Sequence, residues 1–344
     1  MAGQISVKDR VRIGVIGTGM IGELHALAFF QSPLSELVVV CDSNKERAQS
    51  VAEKFGVPFV CNPYEVFDFS LDAIVVCLPE HLHFDVAMRA IEENKHVLIE
   101  KPLVTDLEEG ECIIRKSKEK PEIKVMVGHI LRFDPRYAQA KQIVVEDKVG
   151  ELSHFYARRN NRLTDALRIA PRSSSLMYLG VHDLDLMLWY AGVKAIKVFA
   201  MARFGILQKY GVPDTILGLI QFENGILGSL ELSWILPEHY PAAIDGVFEI
   251  VGTEGMTEIK TLDQGLTVIC KDSFWMYPDT MHWPNLGEYV EGDLKREVEA
   301  FLRCILCDTP VPIPPEDGLE AVRLALALEK SYRNRAEVYL HDAV

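Results

Sequence analysis

The chain's most restrictive feature is a β-branched run, VRIGVI from Val11, that passes directly into Gly17-Thr18-Gly19-Met20-Ile21-Gly22 and then into a helical pattern. Glycines at that spacing turn a chain sharply out of a strand, open the backbone to close approach, and let a helix pack tightly against the strand. The spacing alone is weak, but its context is specific. A second apolar run, LVVVC, ends in Asp42. A carboxylate there accepts hydrogen bonds from both ribose hydroxyls of an adenosine and repels a 2′-phosphate, while the helix N-terminus offers amides and partial positive charge to phosphates. The segment predicts a dinucleotide site built from Gly17, Thr18, Gly19, Met20, Ile21, Gly22, Asp42 and Ser43, with NAD preferred to NADP. Lys45 and Arg47 nearby keep a 2′-phosphate in view.

Further runs follow at AIVVCL from Ala73, HVLI from His96 and KVMV from Lys124, alternating with helical patterns. This is the signature of a parallel sheet with crossover helices, and strands apolar along their length suit a sheet covered on both faces. Ser43 with Glu46, and Thr105 with Glu108, have the spacing of a capping box and predict two helix starts. After Pro135 the pattern changes. A helix is predicted over Arg136 to Glu146, followed by the longer runs HFYARR, IKVFAMARF, TILGLIQF and ILGSLELSW. These predict a second, mostly β domain, interrupted by one apolar helix from Leu176 to Ala191 that Gly192 stops. A last helix is predicted from about Asp317 to Asn334. The boundary between domains is placed at residue 130, with residues 1–130 binding the dinucleotide and 131–344 forming the second domain.

Composition excludes several classes of function. Lys and Arg number 36 against 50 Asp and Glu, for a formal charge of -14, so neither nucleic acid nor an anionic lipid surface is an expected partner. The longest apolar run, Leu186 to Val193, is far short of the roughly 18 residues of a membrane helix. The opening MAGQISVKDR lacks the apolar stretch of a secretory signal, and the cytoplasm is the expected compartment. The seven cysteines are odd in number and scattered, which predicts reduced thiols. Cys304 and Cys307 form a C-x-x-C within an apolar stretch and no second pair stands at zinc spacing, so a helix core is expected there and no metal.

Two clusters lie at the carboxyl ends of strands, where open parallel sheets bind ligands: Leu78-Pro79-Glu80-His81-Leu82-His83, and Glu100-Lys101-Pro102. The Lys101 ammonium can polarise a substrate oxygen. His83 is read equally as a packing residue and as a ligand contact. On the predicted helix, Tyr178, His182, Asp185 and Trp189 are four, three and four residues apart and share one face. His182 suits acid–base work near neutral pH, with Tyr178 hydrogen-bonding substrate or cofactor; the alternative pairs His182 with Asp185 structurally. Arg158, Arg159, Asn160, Asn161 and Arg162 are placed just after the second sheet's first strand, where they meet sugar hydroxyls, a phosphate or solvent. Trp234, with His239 and Tyr240, offers an aromatic surface to a sugar face, or a core residue.

The segments GTGMIG, CLPEHLH, HVLIEKPL, GHILRFDP and GVHDLDLMLW occur in an order that resembles the Gfo/Idh/MocA oxidoreductase family along essentially the whole chain. The resemblance implies an N-terminal Rossmann domain and a C-terminal α/β domain with an open, mainly antiparallel sheet. It implies hydride transfer between a nicotinamide cofactor and a secondary alcohol of a sugar or cyclic polyol. It places Lys101 and His182 in catalysis, with Tyr178 standing where many members have Asp. Leu78, Pro79, His83, Glu100 and Lys101 fall beside the cofactor on this reading, and Arg158, Asn160, Arg162, Asp185 and Trp234 beside the substrate. Nucleotide-sugar 3-dehydrogenation and a non-catalytic, NAD(P)-binding regulatory role are the alternatives. A homodimer or homotetramer is implied too, the open sheet face being covered by another subunit.

Overall fold

The computed structural model describes residues 10–340 other than 263, 272 and 285. Most of the opening segment read above for a leader therefore lies outside the described residues. The chain forms two compact units. One runs up to Phe133 and takes in Met281–Leu319; the other comprises Asp134–Thr280 and the chain from Glu320 onward.

In the first unit the apolar runs become strands β1 (Val11–Ile16), β2 (Ser35–Cys41), β3 (Phe59–Val60), β4 (Ala73–Val76), β5 (His96–Glu100) and β6 (Val125–Gly128). They lie in the order β3-β2-β1-β4-β5-β6, every pair parallel. Helices α1 (Met20–Gln31), α2 (Lys45–Phe55), α3 (His83–Glu92) and α4 (Leu107–Glu119) make the crossovers. Strand order reverses between β1 and β4, so the chain leaves these neighbours in opposite directions and opens a crevice at their carboxyl ends. Both capping boxes are displaced by one residue. Asn44, not Ser43, caps α2, its Oδ1 accepting from Arg47 N at 2.8 Å. Asp106, not Thr105, caps α4, its Oδ1 accepting from the amides of Glu108 and Glu109.

The sequence reading draws the boundary at residue 130 and lets the final helix pack back on the first domain; in the structure Met281–Leu319 groups with the first unit. The cause is helix α8 (Asp293–Cys307), which buries Leu294, Val298, Phe301 and Leu302 and packs against α1 and the turn at Ile130–Phe133. Val127 N also donates to Ile313 O at 3.0 Å, so this returning segment bonds to β6. Within α8, Cys304 is buried as a core residue, whereas Cys307, the last residue of the helix, is exposed. Cys41, Cys77 and Cys304 are buried, and Cys61, Cys270 and Cys307 are exposed.

The second unit contains α5 (Pro135–Val145), β7 (Leu152–Arg162), α6 (Leu163–Ile169), α7 (Val181–Ala191), β8 (Ala195–Arg203), β9 (Thr215–Phe222), β10 (Leu227–Leu236), β11 (Ile244–Gly252), β12 (Met256–Lys260), the hairpin β13 (Val268–Cys270) and β14 (Ser273–Met276), and β15 (Val338–Tyr339). Its main sheet has the order β12-β11-β7-β10-β9-β8-β15 and is antiparallel except where β7 meets β10. Phe155, Tyr190 and Phe248 stack over its inner face, with ring centroids 5.4–6.3 Å apart. The division between units falls inside α9 (Pro315–Asn334), whose Leu328 fills the space over Gly218 and whose Ser331 Oγ accepts from Ala200 N at 2.9 Å. Among the described residues no helix is long and apolar enough to cross a membrane.

Candidate active site

In the first unit, the carboxyl ends of β1, β2, β4 and β5 bring together most of the residues assigned to the dinucleotide. Gly17 has φ +92°, and a Cβ there would lie 2.4 Å from Cys77 O, at the end of β4. A Cβ on Gly22 would lie 1.8 Å from Gly17 O, so only glycine lets α1 start this close to the turn. Gly19 differs. A Cβ there would meet nothing within 4 Å, which leaves bare backbone facing open space at the start of α1. That opening, with the amides of the first helical turn behind it, fits a pyrophosphate. Asp42 stands at the end of β2, its Oδ2 accepting from Thr18 N at 2.9 Å and Thr18 Oγ1 at 3.2 Å, its Oδ1 from Asn44 N at 2.9 Å. These bonds fix the carboxylate beside the glycine turn, where a ribose would meet it. Arg47 Nη1 lies 3.3 Å from Asp42 Oδ2, so one of the two cations considered for a 2′-phosphate has a carboxylate partner.

Two residues assigned to the cofactor have other work. His83 is buried and lies 2.8 Å from Leu78 O and 2.9 Å from Pro102 O, tying the loop after β4 to the loop after β5. Burial pushes its pKa down, against the pull of these carbonyls and of Glu100 and Glu80. Its ring is a clamp and presents no free edge to a nucleotide. Glu100 is also buried, with Oε1 2.8 Å from His25 Nε2 and Oε2 accepting from Lys101 N at 3.1 Å. Burial pushes the Glu100 carboxyl up, but His25 and Lys101 outweigh this and hold it below the usual carboxylate range. Glu100 thus supports Lys101 from within and does not line the crevice. Leu78 and Pro79 remain partly exposed there, as does Lys101; Met20 is open to solvent.

In the second unit, the predicted Leu176–Ala191 helix is two segments, a π turn at Leu176–Gly180 followed by α7. A π turn inside a helix inserts a residue and commonly marks a functional position. Tyr178 sits in it and His182 in the first turn of α7, both half-buried, while Asp185 is buried. Burial pushes the Tyr178 hydroxyl up, and the guanidinium groups of Arg168 and Arg172 pull it back. The sequence reading missed these two arginines. The signal that would have found them is the placement of α6, which is too short for a periodicity argument.

Three assignments in this unit are corrected. Arg158 to Arg162 do not follow a strand but form the second half of β7, so they alternate between sheet faces. Arg159 is buried and bidentate to Asp183, with Nε–Oδ2 2.7 Å and Nη2–Oδ1 2.9 Å. The buried carboxylate that pairs with this arginine is Asp183, the residue next to His182. Arg158 pairs with Asp245 at 3.0 Å, Asn160 donates to Glu231 at 2.9 Å, and Arg162 Nε donates to Ala242 O. Trp234 is wholly buried, edge-on to Tyr178 at 6.2 Å between centroids, and cannot form an exposed aromatic platform. It faces inward because β10 buries every second residue, Leu230 and Leu232 with it.

A doubly wound sheet with a glycine turn at its switch point and a carboxylate at the end of the neighbouring strand, followed by an open mixed sheet, is the architecture of a dinucleotide-dependent oxidoreductase. The chain belongs to the Gfo/Idh/MocA family: residues 11–129 match its oxidoreductase domain with the NAD-binding Rossmann fold, and residues 137–258 match its C-terminal domain. It is 29% identical to scyllo-inositol 2-dehydrogenase (NAD(+)) of Bacillus subtilis (strain 168), over 97% of each chain. It is 30% identical to UDP-N-acetylglucosamine 3-dehydrogenase of Acidithiobacillus ferrooxidans, over 66% of this chain and 68% of that one. A solved structure of scyllo-inositol dehydrogenase from Lactobacillus casei, with bound NAD(H) and scyllo-inositol, superposes with a TM-score of 0.85. It is 24% identical, and 97% of this chain and 100% of that one are covered, which establishes the shared fold.

Proposed function

We propose that this oxidoreductase is an NAD-dependent dehydrogenase of a cyclic polyol, oxidising one ring carbinol of an inositol. The observation that carries the reading is the glycine turn held against Asp42 with Gly19 open, joined to likeness along the full chain to an enzyme named for that reaction. The turn Gly17–Gly22 would hold the pyrophosphate and Asp42 the adenosine ribose. NAD supplies, when bound, the acceptor for the hydride leaving the carbinol carbon. The protein's part is orientation and proton handling. Lys101, braced by Glu100, donates to the reacting oxygen and stabilises negative charge as it develops there. His182 takes the hydroxyl proton at a ring nitrogen. Tyr178, with Arg168 and Arg172, orients the ring hydroxyls that do not react.

Of the arginines available to receive a diphosphate-bearing substrate, Arg158 and Arg159 already have carboxylate partners, and Arg168 and Arg172 are given to the ring hydroxyls on this reading. This favours the free polyol over a nucleotide sugar. We further propose that the chain self-associates through the outer face of the second unit's sheet. The test of the activity is NADH formation across a panel of inositol isomers, aldoses and UDP-sugars, repeated with His182→Ala. Loss of kcat by about 10²-fold or more with NADH affinity unchanged is expected, in line with general-base catalysis. Turnover of UDP-sugars alone would overturn the polyol reading, and an active His182→Ala would remove His182 from the mechanism.

A further inference from the structure

Behind the β5 carboxyl end, three buried side chains converge without balancing one another. Glu297 of α8 is 0% exposed, and among the described residues no hydrogen-bonding group reaches either of its carboxylate oxygens. His25 of α1, also 0% exposed, gives Nε2 to Glu100 while its Nδ1 finds no partner. One ligand atom from each of His25, Glu100 and Glu297 lies within 4.8 Å of the other two. Two carboxylates this close, away from water, cannot both ionise. Glu100 has the donors, from His25 and from the Lys101 amide, so the charge belongs on Glu100. Glu297 has none, and an ionised glutamate left there would be a buried charge without a partner.

We propose that Glu297 is a neutral carboxylic acid that shares its proton with the His25–Glu100 pair, a positioning residue that keeps Glu100 as the anion beside Lys101. An oxygen of Glu297 lies within 4.8 Å of one of Glu100, and a proton shared between them lets a single negative charge occupy the site. The other groups that face it agree. Asp293, one turn earlier on α8, is buried with its Oδ2 2.6 Å from His282 Nδ1. Cys77, at the end of β4, is a buried thiol that burial and the charges of Glu100 and Glu297 push well above its ordinary range. Burial, with the charges of Glu100 and Asp293, pushes Glu297 well up in the same way. Every titratable neighbour but His25 and Lys101 therefore opposes a second anion.

The link from Glu297 to turnover rests on the proposed role of Lys101, whereas the protonation of Glu297 does not. Two experiments separate them. Infrared difference spectra of the full-length protein against Glu297→Gln, at pH 8 and without substrate, should show a protonated carboxylic-acid carbonyl band that the variant lacks. An ionised-carboxylate difference instead would overturn the proposal, as would a stoichiometric divalent cation retained by the purified protein, since the trio would then be a ligand set. In turnover, Glu297→Leu should lower kcat about tenfold, with KM and NADH affinity changing less than about threefold, and Glu297→Gln should rescue kcat with the wild-type pH profile. A Gln variant as impaired as Leu would overturn it. If no polyol is turned over at all, the infrared band still decides the state of Glu297.

Discussion

At the residue scale, buried charge separates what supports the site from what forms it. Arg159 and Asp183 join β7 to α7 by a bidentate pair with side chains 2% and 0% exposed. Burial works against the Arg159 charge, but Asp183 more than offsets it and raises the guanidinium pKa. Removing one partner strands the other. Arg159→Met should therefore lose about 3–5 kcal/mol of second-unit stability, followed by tryptophan fluorescence in urea, while Arg159→Met with Asp183→Leu should recover much of it. Equal loss in the single and double variants would mean that packing, not charge, sets the cost. None of this is visible in the sequence. Five polar residues in a row, Arg158 to Arg162, look like a solvated strand end until their partners Asp183, Glu231 and Asp245 are brought in from 24 to 87 residues away. His83 and Glu100 mislead for the same reason, because their neighbours in space are not their neighbours in sequence. The positions of Lys101 and Asp42, just past the ends of β5 and β2, were legible because a short apolar strand marks where it stops.

At the element scale, the β1–α1 turn assigns different physical tasks to glycines that look alike in the sequence. Gly22 is required by the fold, whereas Gly19 is not, and the proposed cofactor site is what calls for it. Gly19→Ala adds a methyl where the protein has open space and where φ is -64°, a value any residue adopts. It should leave thermal stability nearly unchanged and weaken NADH binding by at least about tenfold, or 1.4 kcal/mol. Gly22→Ala, with its Cβ driven into Gly17 O, should lower both. Equal NADH affinity in Gly19→Ala and wild type, by fluorescence titration, would take the pyrophosphate off this turn. The parallel strands of this unit were readable because they are buried on both faces and hence apolar throughout. In the second unit β11, IDGVFEIVG, went unread. Its Asp245, Gly246 and Glu249 interrupt the apolar pattern, and only pairing with β7 makes it a strand. The capping residues were misread by one position because Ser43-Asn44 and Thr105-Asp106 each offer two eligible oxygens, and backbone geometry selects the second.

At the scale of the whole molecule, the second unit's sheet has one satisfied face and one that is not. Along β9, Ile216, Ile220 and Phe222 are buried against the unit's own core, while Leu217 and Leu219 are 56% and 58% exposed on the other side. Register places Met201 of β8, itself 68% exposed, opposite Leu217, and Phe199 opposite Leu219. An antiparallel sheet with one wet face ordinarily alternates apolar with polar residues, and this one does not. A contiguous apolar patch across β8 and β9 is the kind of surface that a second subunit covers. A cyclic dimer needs a self-complementary patch, which the centre of a sheet face can supply by facing its own copy. Leu217→Glu with Leu219→Glu sets like charges against each other in such an interface and touches no buried residue. The doubly substituted protein should scatter light as a monomer where the wild type does not, with NADH affinity unchanged, because the nucleotide turn belongs to the other unit. A wild type that is monomeric at micromolar concentration, or a variant that keeps the wild-type mass, would assign this face to something other than self-association.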